Sequence, residues 1–154
     1  MSGMSREVLI DTSIWVEYFK GSKIGEKAKK RYIDNPRYNT LTSVVTVVEL
    51  TKHFTRNEFG SKLFMTPEDI LGFLKLKGEV LPLTEEIAIL GGKLLGNAIF
   101  GKLGIADYLI LASAIENSVQ KVVTKEDKWE IVNNHYGKKF GTKRLNLEVD
   151  VIMG

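Results

Sequence analysis

The chain has 154 residues, a length at which one domain can close a full hydrophobic core. It contains no cysteine, which excludes disulfide bonds and zinc sites built on thiolates. Its formal net charge is +3, with basic residues concentrated at 20–31 and 137–144, which fits either a solvated surface or a polyanionic partner such as RNA. No apolar run is long enough to span a membrane and the first residues do not resemble a signal peptide, so we expect a cytoplasmic protein without a membrane partner.

The pattern of apolar residues predicts strands that alternate with helices. We expect strands at 7–10, 38–42, 79–83 and 121–124, and helices at 13–21, about 24–35, 66–77, 84–102 and 105–118. The segment 43–57 fits both types, because its β-branched residues favour a strand while its apolar residues also form a helical stripe. This alternation predicts one α/β domain over 1–154, a three-layer α/β/α sandwich around a mostly parallel central sheet. In such folds, binding sites lie in the loops after the carboxyl ends of the strands.

Several acidic residues stand in apolar surroundings. Asp11 follows the first strand directly, Glu49 interrupts an apolar run, and Asp107 lies just inside an otherwise apolar helix. Glu126 and Asp127 follow the last predicted strand. Each acid could be a helix cap or one member of an ion pair, but no basic residue is obviously placed to neutralise the whole set. The set therefore favours a bound cation, and because oxygen atoms dominate the available ligands, we expect Mg²⁺ or Mn²⁺.

Four segments carry a resemblance to a known family. They are, in chain order, LIDTSIWVEYF, TSVVTVVEL, GIADYLILASA and VVTKEDKW. In order and spacing, over about residues 6–131, they resemble the motifs of PIN-domain ribonucleases and, within that family, of the VapC toxins of VapBC toxin–antitoxin modules. The resemblance implies that 43–57 is largely helical. It also implies hydrolysis of RNA phosphodiester bonds with the help of Mg²⁺ or Mn²⁺.

The resemblance assigns roles to individual residues near the expected metal site. The acids at the metal-binding positions are Asp11, Glu49 and Asp107. The supporting hydroxyl is that of Thr12 or Ser13. These roles follow from the resemblance and not from spacing, because each motif by itself is short and common.

The fourth acidic position is where this chain departs from the family pattern. Thr124 matches the threonine that precedes the last acid, and the family often places that acid two residues later, at Glu126. We expect the next residue, Asp127, to serve as the fourth catalytic and metal-binding acid, with Glu126 as the alternative. Some members of the family have no acid at this position.

The resemblance implies three partners: an RNA substrate, a VapB-like antitoxin and a second copy of the chain in a symmetric homodimer. From the charge pattern, we expect contacts to RNA phosphates from Lys27, Lys29, Lys30, Lys125 and Lys128. The apolar stripes that include Ile33, Val47 and Phe54 either meet across a two-fold axis or face the core, because both arrangements have the same period.

Other functions remain open from the sequence alone. A haloacid-dehalogenase-like phosphatase would have a second acid two residues after Asp11, where Ser13 stands, and a response-regulator receiver would have paired acids near its start. A PIN domain without catalytic activity, which binds RNA or protein, is the main alternative.

Overall fold

The computed structural model of the chain describes residues 6–60 and 62–154. Its strands are β1 (Arg6–Ile10), β2 (Tyr38–Ser43), β3 (Glu79–Leu81), β4 (Lys121–Thr124), β5 (Lys139–Phe140), β6 (Lys143–Arg144) and β7 (Glu148–Val151). Its α-helices are α1 (Thr12–Lys20), α2 (Lys23–Ala28), α3 (Val44–Thr55), α4 (Pro67–Lys77), α5 (Glu85–Gly96) and α6 (Ile105–Glu116). A π-helical turn, Lys29–Ile33, continues α2, and a 3-10 helix, Asp127–His135, follows β4.

The central sheet contains five strands in the order β3–β2–β1–β4–β7, and every neighbouring pair is parallel. The strand β1 lies in the middle, with Leu9 opposite Leu41 of β2 and Ile10 opposite Val123 of β4. Because the strands are parallel, the carboxyl ends of β1, β2 and β4 meet at one edge of the sheet. The strands β5 and β6 form a separate antiparallel hairpin.

The two faces of the sheet bury two hydrophobic cores, as the alternation of side chains along a strand requires. Val8 and Ile10 of β1 join Val123 in one core, together with side chains from α1, α3 and α4. Leu9 and Val122 join the other core, which α5 and α6 cover. Helices therefore lie on both faces of the sheet. This confirms the predicted three-layer α/β/α sandwich.

The ambiguous segment after β2 is helical. The helix α3 begins at Val44, and the hydroxyl of Ser43 accepts a hydrogen bond from the backbone N–H of Val45 (3.1 Å). Its residues Leu50 and Phe54 are buried in the core beside β1. Tertiary packing of this face outweighs the β propensity of the valines, so the helical interpretation is confirmed. The predicted start of α4 is also confirmed, with Thr66 in a capping box.

Two predicted helices need correction, and one strand was missed. The helix expected over 84–102 ends at Gly96, and turns follow in which the N–H of buried Phe100 donates to the hydroxyl of Tyr108 (3.0 Å). The predicted helix over 24–35 is a short α-helix followed by the π-helical turn. The strand β7 was not predicted, although it extends the sheet beyond β4.

The apolar stripes considered for a dimer lie mainly in the core. Ile33 and Phe54 are buried, and Val47 is partly buried against the same core. The core alternative is therefore confirmed for Ile33 and Phe54, while Val47 packs against the core and keeps part of its surface exposed. Within residues 6–60 and 62–154, none of the helices combines the length and apolar character that a membrane span needs.

Candidate functional site

Acids from four parts of the chain meet in a cavity at the carboxyl edge of the sheet. The cavity has a volume of about 290 Å³ and is lined by Asp11, Thr12, Ser13, Val16, Lys20, Glu49, His53, Asp107, Lys125, Glu126 and Lys128. Its acids come from the end of β1, from α3, from the start of α6 and from the loop after β4. A larger cavity of about 500 Å³ lies between α5 and the β5–β6 hairpin, but its lining contains none of the predicted catalytic acids. We therefore place the functional site at the acidic cavity.

Asp11 occupies the position before α1 without capping that helix. Its side chain makes no cap hydrogen bond; instead Oδ2 accepts from the hydroxyls of Ser13 (2.7 Å) and Thr124 (2.8 Å). Those two hydroxyls in turn accept from the backbone N–H groups of Lys125 (3.2 Å) and Glu126 (3.1 Å), respectively. This chain of donors fixes the Asp11 carboxylate in the cavity and excludes the simple cap interpretation.

The environment of Asp11 disfavours its ionised form. The residue is only 3% exposed, and this burial raises the pKa of its carboxyl to about 6. The hydrogen bonds from Ser13 and Thr124 lower the pKa, but the charges of Asp107 and Glu49 raise it further. At neutral pH the site therefore carries a buried negative charge that a nearby cation would stabilise.

Glu49 is held by the hydroxyl that follows Asp11. Thr12 donates from Oγ1 to Oε1 of Glu49 (2.6 Å) and also shares a hydrogen bond with the hydroxyl of Thr46 (2.9 Å). The sequence left Thr12 and Ser13 as alternatives for one supporting hydroxyl. In the structure each serves a different acid, Thr12 holding Glu49 and Ser13 holding Asp11.

Asp107 has two roles in the structure. Its Oδ2 accepts from the backbone N–H of Gly104 (3.0 Å), which caps the first turn of α6. The same oxygen lies 2.8 Å from the ammonium nitrogen of Lys128. The cap interpretation is therefore confirmed for Asp107, and its carboxylate also faces the other acids across the cavity.

The two candidates for the fourth acid lie in different environments. Glu126 is partly buried and lines the cavity. Asp127 is exposed, begins the 3-10 helix and is not among the cavity-lining residues. The structure thus places Glu126 with the other acids and leaves Asp127 outside, contrary to our expectation from the sequence.

The predicted RNA-binding lysines fall into two groups. Lys125 and Lys128 line the cavity, whereas Lys27, Lys29 and Lys30 do not. The ammonium group of Lys27 donates to the carbonyl of Met153 (2.7 Å). Of the basic cluster at 20–31, the residue that lines the cavity is Lys20.

Sequence reasoning missed His53 as a residue of the site. It lines the cavity, and its Nδ1 lies 2.6 Å from a carboxylate oxygen of Glu58. The spacing could have predicted it, because His53 follows Glu49 by four residues and two residues at that spacing share one face of a helix. Recognising it required knowing that the segment 43–57 is helical.

The donors in the cavity fit a divalent metal by their chemistry. They are carboxylate and hydroxyl oxygens, which Mg²⁺ and Mn²⁺ prefer. Among the residues that the structure describes, however, no three acidic or histidine side chains are already arranged around one point as metal ligands. The contacts explain this, since Glu49 is turned toward Thr12 and Asp107 toward Lys128. Metal binding by these two acids would require these contacts to change.

Comparison with family models connects this geometry to known proteins. The model of the PIN domain matches residues 8–134, a range that includes every acid of the cavity. The chain belongs to the PIN-domain family. The comparison with curated protein sequences finds no match.

Solved structures share the PIN-domain fold of this chain. VapBC2 from Rickettsia felis, bound to a DNA fragment from its promoter, gives a TM-score of 0.64 at 16% identity and covers 94% of this chain and 98% of its own. DNA-bound VapBC from Salmonella typhimurium gives 0.63 at 15% identity, with 97% and 100% covered. VapC20 from Mycobacterium tuberculosis, a sarcin–ricin loop cleaving toxin, gives 0.61 at 14% identity, with 78% and 90% covered. At these identities the likeness shows a common fold.

We predict that Asp11 makes the metal-free protein less stable as the pH rises. The folded state holds the Asp11 proton more tightly than the unfolded chain, whose carboxyl has its ordinary pKa of 3.8, so the folded state binds more protons between pH 3.8 and about 6. The free energy of unfolding should therefore fall across this interval, by up to about 3 kcal/mol. Asp11→Asn removes the titrating group and should exceed the wild type in stability at pH 7.

Urea unfolding in a buffer with a chelator, at several pH values between about 4 and 7, would measure this effect. The control is Asp127→Asn, which changes an exposed acid outside the cavity and should keep the pH dependence of the wild type. An Asp11→Asn protein with an unchanged pH dependence would show that Asp11 is not the responsible group.

Proposed function

We propose that the chain is a metal-dependent endoribonuclease and the toxin of a VapBC-type toxin–antitoxin pair. The observation that carries the proposal is the meeting of Asp11, Glu49 and Asp107 from three separate elements in one cavity of a PIN-domain chain. A buried carboxylate with a raised pKa among other acids is typical of a catalytic site. The cleaving activity of the Mycobacterium tuberculosis toxin with this fold gives further support.

The acids of the cavity would hold Mg²⁺ or Mn²⁺, with Glu126 as the proposed fourth ligand. A divalent metal bound there would make water a better nucleophile near neutral pH and would offset the charge of the phosphate. The chain itself contributes orientation. Ser13 and Thr124 would hold Asp11 in a defined position, whereas Glu49 would have to turn from Thr12 toward the metal.

Cations around the cavity would hold the RNA backbone. Lys20, Lys125 and Lys128 line the cavity together with the acids, so they are close enough to contact a phosphate whose neighbour is being cleaved. We propose Lys27, Lys29 and Lys30 as a second set of contacts for longer RNA, because they are outside the cavity. The binding affinity should fall as the salt concentration rises, since each phosphate contact releases counterions.

We predict that Asp107→Asn abolishes the nuclease activity with the fold intact. The substitution keeps the size of the side chain but removes the charge of a proposed ligand. Cleavage of a mixed RNA pool with Mg²⁺ should fall at least about 100-fold, because even changes to groups behind the metal ligands cost 10- to 100-fold. The increase in melting temperature that Mg²⁺ produces in the wild type should also be lost.

The matched control for this variant is Asp69→Asn. Asp69 has the same role in α4 that Asp107 has in α6, since its Oδ2 accepts from the backbone N–H of Thr66 (3.2 Å) in a capping box. It is exposed and does not line the cavity, so the variant should cleave RNA at the wild-type rate. Equal cleavage by wild type and Asp107→Asn would remove Asp107 from the catalytic site.

We predict that the fourth acid can be identified by comparing two variants. Glu126→Gln should lower the cleavage rate by about 10-fold or more, because its side chain lines the cavity with the other acids. Asp127→Asn should leave the rate within about twofold, because the side chain is exposed outside the cavity. The opposite pattern would restore the assignment that the sequence suggested.

We also propose that the chain binds a VapB-like antitoxin and forms a homodimer. The similar structures from Rickettsia felis and Salmonella typhimurium are VapBC assemblies, which supports an antitoxin partner. Two large apolar side chains are exposed on helices that touch each other, Val48 of α3 (71%) and Ile105 of α6 (67%), and they could meet a second copy.

Light scattering of the purified chain should give the mass of a dimer at micromolar concentration. Val48→Glu together with Ile105→Glu should give a monomer, because each charge would be buried against the partner. A wild-type chain that is monomeric would contradict the dimer. Co-purification with the product of a neighbouring reading frame tests the antitoxin separately.

A further inference from the structure

Lys128 has a contact that distinguishes it from the other lysines of the cavity. Its ammonium nitrogen lies 2.8 Å from Oδ2 of Asp107, and the two side chains are 35% and 16% exposed. The pKa of Lys128 is raised, first by the bond to Asp107 and further by the charges of Glu126 and Asp11. The ammonium group is therefore charged at neutral pH and is attracted by several acids of the site.

The other two lysines of the cavity are paired with a different acid. Lys20 and Lys125 each lie 3.6 Å from Oε2 of Glu17, a buried residue of α1 that does not line the cavity. Among the lysines that line the cavity, Lys128 is thus the one with an ion pair to a cavity acid, within the described residues. Neutralisation of the acids from within the chain depends mainly on this group.

We propose that Lys128 is a built-in counter-ion of the acidic cavity, which competes with a divalent cation for Asp107. The inference rests on the proposed function, because it takes Asp107 as a metal ligand. In this proposal the two cations compete for one carboxylate, whose Oδ2 already lies 2.8 Å from the ammonium nitrogen of Lys128. A metal ion bound by Asp107 would displace Lys128, which is then available for the phosphate contact proposed above.

The Lys128–Asp107 ion pair should have opposite effects on the stability of the metal-free chain and on its affinity for a metal. Without metal, Lys128 stabilises the folded chain because it reduces the repulsion among the acids. With metal, the same ion pair must be broken, so it weakens metal binding. Partly exposed ion pairs contribute up to about 1 kcal/mol, which corresponds to a change in metal affinity of about 3- to 5-fold.

The test measures binding of Mn²⁺ alone, without RNA, by isothermal titration calorimetry. Lys128→Met should bind Mn²⁺ about 3- to 5-fold more tightly than the wild type, and Mn²⁺ should raise its melting temperature by more. Lys128→Arg keeps the charge and should restore an affinity close to that of the wild type. Circular dichroism of each variant checks that it is folded.

The matched control is Lys125→Met. Lys125 lies just before the 3-10 helix that carries Lys128, lines the same cavity and is 31% exposed, but its ion pair is with Glu17. Its removal lowers the positive charge near the site by the same amount without freeing Asp107, so its Mn²⁺ affinity should change less than about twofold.

The outcomes separate the inference from the proposed function. Equal Mn²⁺ affinities for Lys128→Met and Lys125→Met would overturn the role of the Lys128–Asp107 pair while metal binding stands. If the wild type and Lys128→Met both fail to bind Mn²⁺, the proposed metal-dependent function fails and the inference fails with it.

Discussion

The burial of one carboxylate, that of Asp11, at the carboxyl end of the central strand is the constraint on which the site depends. The backbone N–H of Asp11 donates to the carbonyl of Val123 (2.9 Å), so the pairing of β1 with β4 fixes its position. Two hydroxyls, from Ser13 and Thr124, replace part of the water that the carboxylate has lost. Burial still dominates, as the raised pKa shows. The folded chain therefore holds a charge at neutral pH that only a nearby cation can fully stabilise.

The loops that carry the acids are fixed by buried side chains behind them. Trp15 follows Asp11 by four residues, is fully buried, and donates from Nε1 to the hydroxyl of Thr42 in β2 (3.1 Å). Trp129 follows Glu126 by three residues and is also fully buried, against the opposite face of the sheet. One tryptophan from each core thus anchors the first turn after a strand. The acids can be held against mutual repulsion because the backbone beneath them is packed.

Much of the fold was predictable from the sequence, because the alternation of apolar segments depends on local chemistry. The three acids Asp11, Glu49 and Asp107 were also predictable, since a charge within an apolar run needs a reason. The end of α5 at Gly96 was not, because the apolar pattern continues through Phe100, which is buried by a turn and not by a helix. The strand β7 has only four residues and is recognisable mainly through its pairing with β4.

The identity of the fourth acid shows a limit of a different kind. Glu126 and Asp127 are adjacent and both are acidic, and the family spacing, which often places the acid at Glu126, did not decide the choice because some members have no acid there. What separates them in the structure is the backbone, which is extended at Glu126 (φ −89°, ψ 113°) and turns into the 3-10 helix at Asp127. Which of two adjacent side chains faces the cavity depends on tertiary packing, here on the burial of Trp129.

The distribution of lysines shows how the chain holds its acids before any partner binds. Lys125 and Lys128 are three residues apart in sequence, yet one is paired with Glu17 outside the cavity and the other with Asp107 within it. Any positive group that approaches the cavity from solvent therefore meets Lys128 already paired with Asp107. Under the proposed function, a metal ion and a basic side chain of an antitoxin partner would each compete with Lys128 for the Asp107 carboxylate. The strength of this one ion pair would then affect the affinity for both ligands, which would link metal binding and partner binding through a single side chain.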